Sequence, residues 1–224
     1  MPNKLFKFSE FKSFQNSFDY LYKQYTENTI FELRGKWCKS FFQNNNPIVI
    51  EIGCGRGEYT IGLAQQYKDK NFIGVDFKSN RMWTGAKQAL NNQLRNVAFI
   101  RTRVEFLQNI FNKDEVSEIW ITFPDPQIQK SREKKRLTNP KFLEYYKNYL
   151  KKDGYVHLKT DNDIFFDYTM NVIADLKLEL ILHSKNLYMD SRQELNEVKQ
   201  IQTYYEKLFS EKGSTIKYCC FKLD

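Results

Sequence analysis

The chain reads as an α/β protein on a mostly parallel sheet of seven strands, with helices on both faces. Three observations predict this. Short apolar runs alternate with helix-like segments from residue 47 onward, the spacing that builds βαβ units. The first apolar run ends in a glycine-rich turn and the second ends on Asp76, at strand ends where such sheets bind their ligands. The chain closes on two runs of strand character around a charged helical stretch, which predicts an antiparallel strand at the C-terminal end.

The elements follow in order. Phe11, Phe14, Phe18, Leu21, Tyr22 and Tyr25 recur at steps of three and four, one face of a helix, and Phe31 to Phe42 suggests a second helix. Residues 1–46 are therefore expected to be a helical, basic and aromatic extension that packs on the rest, and residues 47–224 the main domain. Asn44-Asn45-Asn46-Pro47 is a turn. Strands are expected at 48–52, 72–75, 97–102, 118–123 and 155–159, with helices near 58–67, 79–93, 106–111 and 142–150. Asn139 and Pro140 suit the N-cap and first position of the last of these helices, and Gly154 is read as its stop. Leu178–Leu182 and Thr215–Leu223 complete the strands.

Composition narrows the chemistry. With 224 residues, 41% hydrophobic and 28% charged, the chain can build a core, and wholesale disorder is excluded. Lys plus Arg number 35 against 27 Asp plus Glu, a formal charge of +8, which favours an anionic partner, nucleic acid first. No apolar run nears the ~20 residues of a membrane span, and the first ten residues lack the apolar stretch of a secretory signal. Cys38, Cys54, Cys219 and Cys220 have no C-x-x-C spacing, and His157 and His183 are the only histidines. A metal site, a disulfide scaffold and Ser-His-Asp chemistry are not expected; a reducing cytoplasm is. His157, Cys54 and the Cys219-Cys220 pair read as packing residues.

The first strand runs into Glu51-Ile52-Gly53-Cys54-Gly55-Arg56-Gly57. This is neither the G-x-G-x-x-G of dinucleotide binders nor a P-loop. Gly53, Gly55 and Gly57 let backbone approach a ligand, and Glu51 would repel a pyrophosphate but suits a cation. S-adenosylmethionine, with its sulfonium and ammonium, fits; Asp76 is placed to accept from two ribose hydroxyls. After the fourth strand, Pro124-Asp125-Pro126 holds a carboxylate on a stiff loop. Lys130, Arg132, Lys134, Lys135 and Arg136 follow within seven residues and read as a grip on a phosphate backbone.

Glu51-Ile-Gly-Cys-Gly-Arg-Gly, Thr122-Phe-Pro-Asp-Pro, Lys134-Lys-Arg-Leu-Thr, His157-Leu-Lys-Thr-Asp161 and Thr203-Tyr-Tyr-Glu206 occur in one order. Over residues 47–223 the chain thereby resembles the bacterial tRNA (guanine-N(7)-)-methyltransferase family. The resemblance implies a class I (Rossmann-like) methyltransferase fold, S-adenosylmethionine as donor without a metal, and guanine 46 of the tRNA variable loop as acceptor. It implies cofactor contacts for Glu51 and Asp76, and a catalytic role beside the cofactor for Asp125. It implies substrate contacts for Asp161 and for Thr203, Tyr204, Tyr205 and Glu206. No obligate protein partner is implied.

The chain departs from the family in places. Gln127 stands where the family has Trp, and Gln129 where it has a basic residue, so Lys130 is expected to take over that substrate contact. Ser131-Arg132 replaces an Arg-His pair. The acid expected at the adenine is Arg103, which cannot accept a hydrogen bond; Glu105, two residues on, or the backbone would serve instead. These departures motivate one alternative, a catalytically silent RNA-binding protein on the same fold.

Overall fold

The computed structural model describes residues 2–223. The N-terminal part holds α1 (Lys4–Ser13), β1 (Ser17–Asp19), α2 (Tyr22–Thr26) and a π-helical turn at Trp37–Phe42. Then follow β2 (Ile48–Ile52), α3 (Glu58–Gln66), β3 (Asn71–Asp76), α4 (Ser79–Asn91), β4 (Val97–Arg101) and β5 (Val116–Thr122). The remaining elements are α5 (Pro140–Lys147), β6 (Leu150–Thr160), α6 (Asp163–Asp175), β7 (Leu180–Ser184), α7 (Asn196–Gln200), α8 (Tyr204–Glu211) and β8 (Lys217–Lys222). Short 3-10 helices occupy Val104–Asn109, Lys130–Lys135 and Gln193–Leu195.

All eight strands join one sheet in the order β1-β4-β3-β2-β5-β6-β8-β7. Pairs from β1 through β6 are parallel, and β8 runs against both β6 and β7. The sheet therefore has one strand more than the seven expected. The extra strand is β1, which pairs Ser17, Phe18 and Asp19 with Phe99, Ile100 and Arg101. The apolar spacing of 11–25 looked like one helix, but the helix stops at Ser13 and Phe18 lies in the strand. Ser17 Oγ donates to the Phe11 and Phe14 carbonyls, so a side chain takes over acceptors that a longer helix would have used.

Period-two alternation divides the core. Ile48, Ile50 and Ile52 face one layer, with Trp37, Phe111 and Tyr149. Val49 faces the other, with Tyr59, Phe72, Phe99 and Trp120. Trp37 is fully buried, edge-on to Phe18 and stacked on Phe31, and its indole N–H donates to the Ile110 carbonyl at 3.2 Å. Phe11, Phe18, Phe31 and Trp37 of the extension are thus spent on packing. Gly154 is not a helix stop: α5 ends at Lys147, and Gly154 lies in β6 where the strand bulges between Leu150 and Tyr155. The long helical stretch expected after β7 is instead α7 and α8, joined through Ile201–Thr203. No helix among the described residues is long and apolar enough to cross a membrane.

Candidate functional site

From β2 the chain moves to β3 on one side and later to β5 on the other. That reversal opens a crevice at the carboxyl ends of the strands. It holds two adjoining cavities, of about 510 Å³ and 230 Å³. Gly53, Asp76 and Leu137 line both.

The glycine turn forms the floor. Gly53 and Gly55 have φ of +77° and +56°, and a Cβ on either would project into open space, the space a ligand would fill. Gly57 is different. Its φ is +75°, and a Cβ there would meet the Phe99 ring at 2.5 Å. Gly57 therefore has a packing reason to be small, since the start of α3 lies against β4, beside the cofactor contact expected of it. Asp76 is held from below, accepting from the Gly55 N–H at 2.9 Å and the Lys78 N–H at 2.8 Å. Glu105 lines the larger cavity with Arg103, its partner at 3.7 Å.

Glu51 lies beneath the smaller cavity and is 3% exposed. The Thr60 N–H donates to one of its oxygens at 2.9 Å, and the hydroxyls of Thr60 and Thr122 donate to its two oxygens. Burial nonetheless pushes its carboxyl up to about 7, because removing a charge from water outweighs these donors. A buried carboxylate facing a cavity is electrostatically matched to a cation placed there.

Asp125 is exposed at the rim of the same cavity. Its Oδ1 accepts from the Gln127 N–H at 3.0 Å, a turn that fixes the side chain. Phe123 and Gln127 flank it with φ of +46° and +47°, left-handed values that cost energy for residues with a Cβ. Arg136 holds this shape. It is 4% exposed, donates to the carbonyls of Pro126 at 3.2 Å and Gln127 at 3.3 Å, and lies over the Tyr168 ring. Its expected role as a phosphate contact is therefore corrected, because the guanidinium faces the loop from inside. Lys130, Arg132, Lys134 and Lys135 remain exposed on the short helix beside the cleft.

Thr203 and Tyr205 line the same cavity as Asp125. Tyr204 is exposed, with the Arg56 guanidinium over its ring. Glu206 is not available to a substrate. It is fully buried, 2.7 Å from the ammonium of Lys159, and it accepts from the Tyr188 hydroxyl and the Thr203 N–H. Thr203 Oγ1 accepts in return from the Glu206 N–H, a capping box that starts α8. The Lys159 ammonium also donates to the Val198 and Ile201 carbonyls at 2.9 and 3.0 Å, so all three of its protons are used. Asp161 is half-buried just past β6, and its carbonyl accepts from Lys217; its carboxylate is not among the groups lining the two cavities.

Sequence reasoning missed Arg81, which lines the smaller cavity from α4, and Lys159. For Lys159 a signal existed: a cation in the run Val156–Lys159, at the alternate position facing the same layer as His157.

The protein family described as putative methyltransferase matches residues 45–219. A tRNA (guanine-N(7)-)-methyltransferase of Christiangramia forsetii is 48% identical over 221 residues, covering 99% of this chain and 98% of that protein. One from Bacteroides thetaiotaomicron is 45% identical over 99% of this chain and 86% of its own length. Among solved structures, the 16S rRNA methyltransferase KamB aligns over 82% of this chain and 91% of its own, with a TM-score of 0.62 at 12% identity. An antibiotic-related methyltransferase aligns over 85% and 94%, with a TM-score of 0.61 at 17% identity. At these identities the two structures speak to the fold alone: the class I methyltransferase sheet.

Proposed function

The chain belongs to the tRNA (guanine-N(7)-)-methyltransferase family, and from that we propose that it methylates guanine 46 of the tRNA variable loop with S-adenosylmethionine, giving 7-methylguanosine. The observation that carries this reading is the single cavity that joins open glycine backbone, the buried Glu51, Asp76 and the rim carboxylate of Asp125. Gly53 and Gly55 leave room for a cofactor chain, Glu51 and Asp125 match positive charge, and Asp76 accepts from a ribose. When bound, S-adenosylmethionine supplies an electrophilic methyl group.

The chain's residues then have limited chemistry to do. N7 of guanine presents an in-plane lone pair and no proton, so no side chain must act as a base toward it. The purine becomes cationic as it is alkylated, and Asp125, fixed by its turn to Gln127, lies ready to balance that charge. Tyr205 offers a ring in the same cavity, suited to stacking on a base turned out of the tRNA. Lys130, Arg132, Lys134 and Lys135 offer phosphate contacts beside it.

Ionised Glu51 is the form that favours a cationic cofactor. Binding then releases a proton wherever the free carboxyl holds one, so affinity rises with pH up to about 7 and levels off above it. Calorimetry in buffers of different ionisation enthalpy reads that proton, and Glu51→Gln flattens the profile. In the free protein the sign is opposite. A carboxyl raised from 4.5 to about 7 holds its proton more tightly folded than unfolded. Its contribution to stability is present below 4.5 and declines as pH rises to about 7.

The two kinds of basic residue separate in one titration. Affinity for tRNA falls steeply with salt, and Lys134→Gln lowers the log–log slope by about 1. Arg136→Lys leaves that slope unchanged but lowers turnover about tenfold, because an ammonium cannot reproduce the fork that holds the two loop carbonyls.

Methyl transfer from labelled S-adenosylmethionine to unmodified tRNA tests the assignment, with a tRNA carrying adenine at position 46 as comparison. Label in the first tRNA alone is expected. Label in both refutes the position, and cofactor binding without any label points to the silent RNA-binding reading.

A further inference from the structure

A third cavity, of about 280 Å³, lies toward the opposite end of the sheet from the cleft, between β5, β6 and β8 and the segment around α7. Its floor is the stacked pair Trp120 and His157, with ring centres 4.0 Å apart. Tyr67 and Tyr155 form part of its walls.

Its acidic side chains are Glu118, Glu194 and Glu197, against the one lysine, Lys70. Three carboxylates face one ammonium, on a chain whose formal charge is +8. Lys70 already shows how a cation sits here, 2.7 Å from Glu118 and 5.2 Å from the centre of the Tyr67 ring. The other wall has no such partner. Glu197 accepts only from the Tyr67 hydroxyl, and neither it nor Glu194 forms an ion pair among the described residues.

His157 supplies an independent sign of a ligand. It is nine-tenths buried and lines the cavity; its Nδ1 is 2.8 Å from the Tyr218 hydroxyl, while its Nε2 has no hydrogen-bond partner. Burial holds the ring neutral, down to about 4. That Nε2 lies 3.7 Å from a Glu118 oxygen. A buried ring nitrogen without a partner, beside carboxylates on the cavity wall, marks a place for a polar head group.

We propose that this cavity is a second binding site, for a small organic cation with an apolar stem and a guanidinium or ammonium head. The head sits among Glu118, Glu194, Glu197 and His157 Nε2, and the stem lies along Trp120 and Tyr155. Cation–π and carboxylate contacts of this kind strengthen as water is excluded.

Agmatine is the probe. Calorimetric titration is expected to give saturable binding with a Kd of about 1 mM or tighter, accompanied by a change in tryptophan emission. Glu194→Gln/Glu197→Gln, on two exposed side chains, is expected to weaken it about tenfold. S-adenosylhomocysteine at saturation is expected not to displace it. Absence of saturation by about 10 mM, equal affinity in the double variant, or displacement by S-adenosylhomocysteine would each overturn the proposal. The site does not depend on the methyl-transfer assignment, and methyl transfer to tRNA by the double variant is expected to be unchanged.

Discussion

Asp125→Ala lowers turnover by about 10²–10³-fold, the scale of losing one preorganised charge-stabilising group, and leaves the melting temperature unchanged. The side chain is exposed and its one hydrogen bond is to the Gln127 N–H, so folding does not rest on it. Asp125→Asn sharpens the test. The amide oxygen can still accept from Gln127, so the turn persists while the charge is gone. If charge balance on the alkylated purine is the role, Asn is nearly as inactive as Ala. If holding the loop is the role, Asn restores most of the rate. Single-turnover measurement with saturating cofactor and tRNA separates the two, and a fully active Ala variant removes Asp125 from the mechanism.

The second large effect is on stability. Lys159→Met strands Glu206 in the core without a counter-charge, and breaking a buried pair in this way costs about 3–5 kcal/mol. For a chain of this size that is a fall in melting temperature of about 10 °C or more. The double variant Lys159→Met/Glu206→Gln recovers most of it, because no buried charge remains. A double variant as unstable as the single would mean that the carbonyls of Val198 and Ile201, left without their donor, carry the cost. In either case the strap that presents Thr203 and Tyr205 to the cleft loosens, so KM for tRNA rises in variants that still fold.

The central strands were legible because they are short, apolar and buried on both sides, and β2 is buried at every position. Glu51 and Asp76 were legible for a related reason: a carboxylate ending or interrupting such a run needs an explanation. The misreadings share one cause, that burial is not local information. Arg136 ends a basic run whose other members are exposed; only the turn into Leu137 and Thr138 carries it inside. Glu206 carries a readable capping signal with Thr203, yet its inward direction depends on Lys159, in a distant strand. The packing reason for Gly57 was hidden in the same way, because the Phe99 ring beside it comes from another strand. β1 was hidden because three residues are too few to show a period.

The position of β8 between β6 and β7 bears on how the chain is made. A ribosome delivers β6 and β7 first, and neither has its antiparallel partner until residues 217–222 emerge. The nascent sheet therefore waits with an open edge at β6, the kind of edge that templates aggregation. Completion comes as an insertion, a later-made segment sliding into a slot prepared by earlier ones. Emergence of residues 217–222, more than synthesis of β6 or β7, should set the moment at which the sheet becomes protease-resistant.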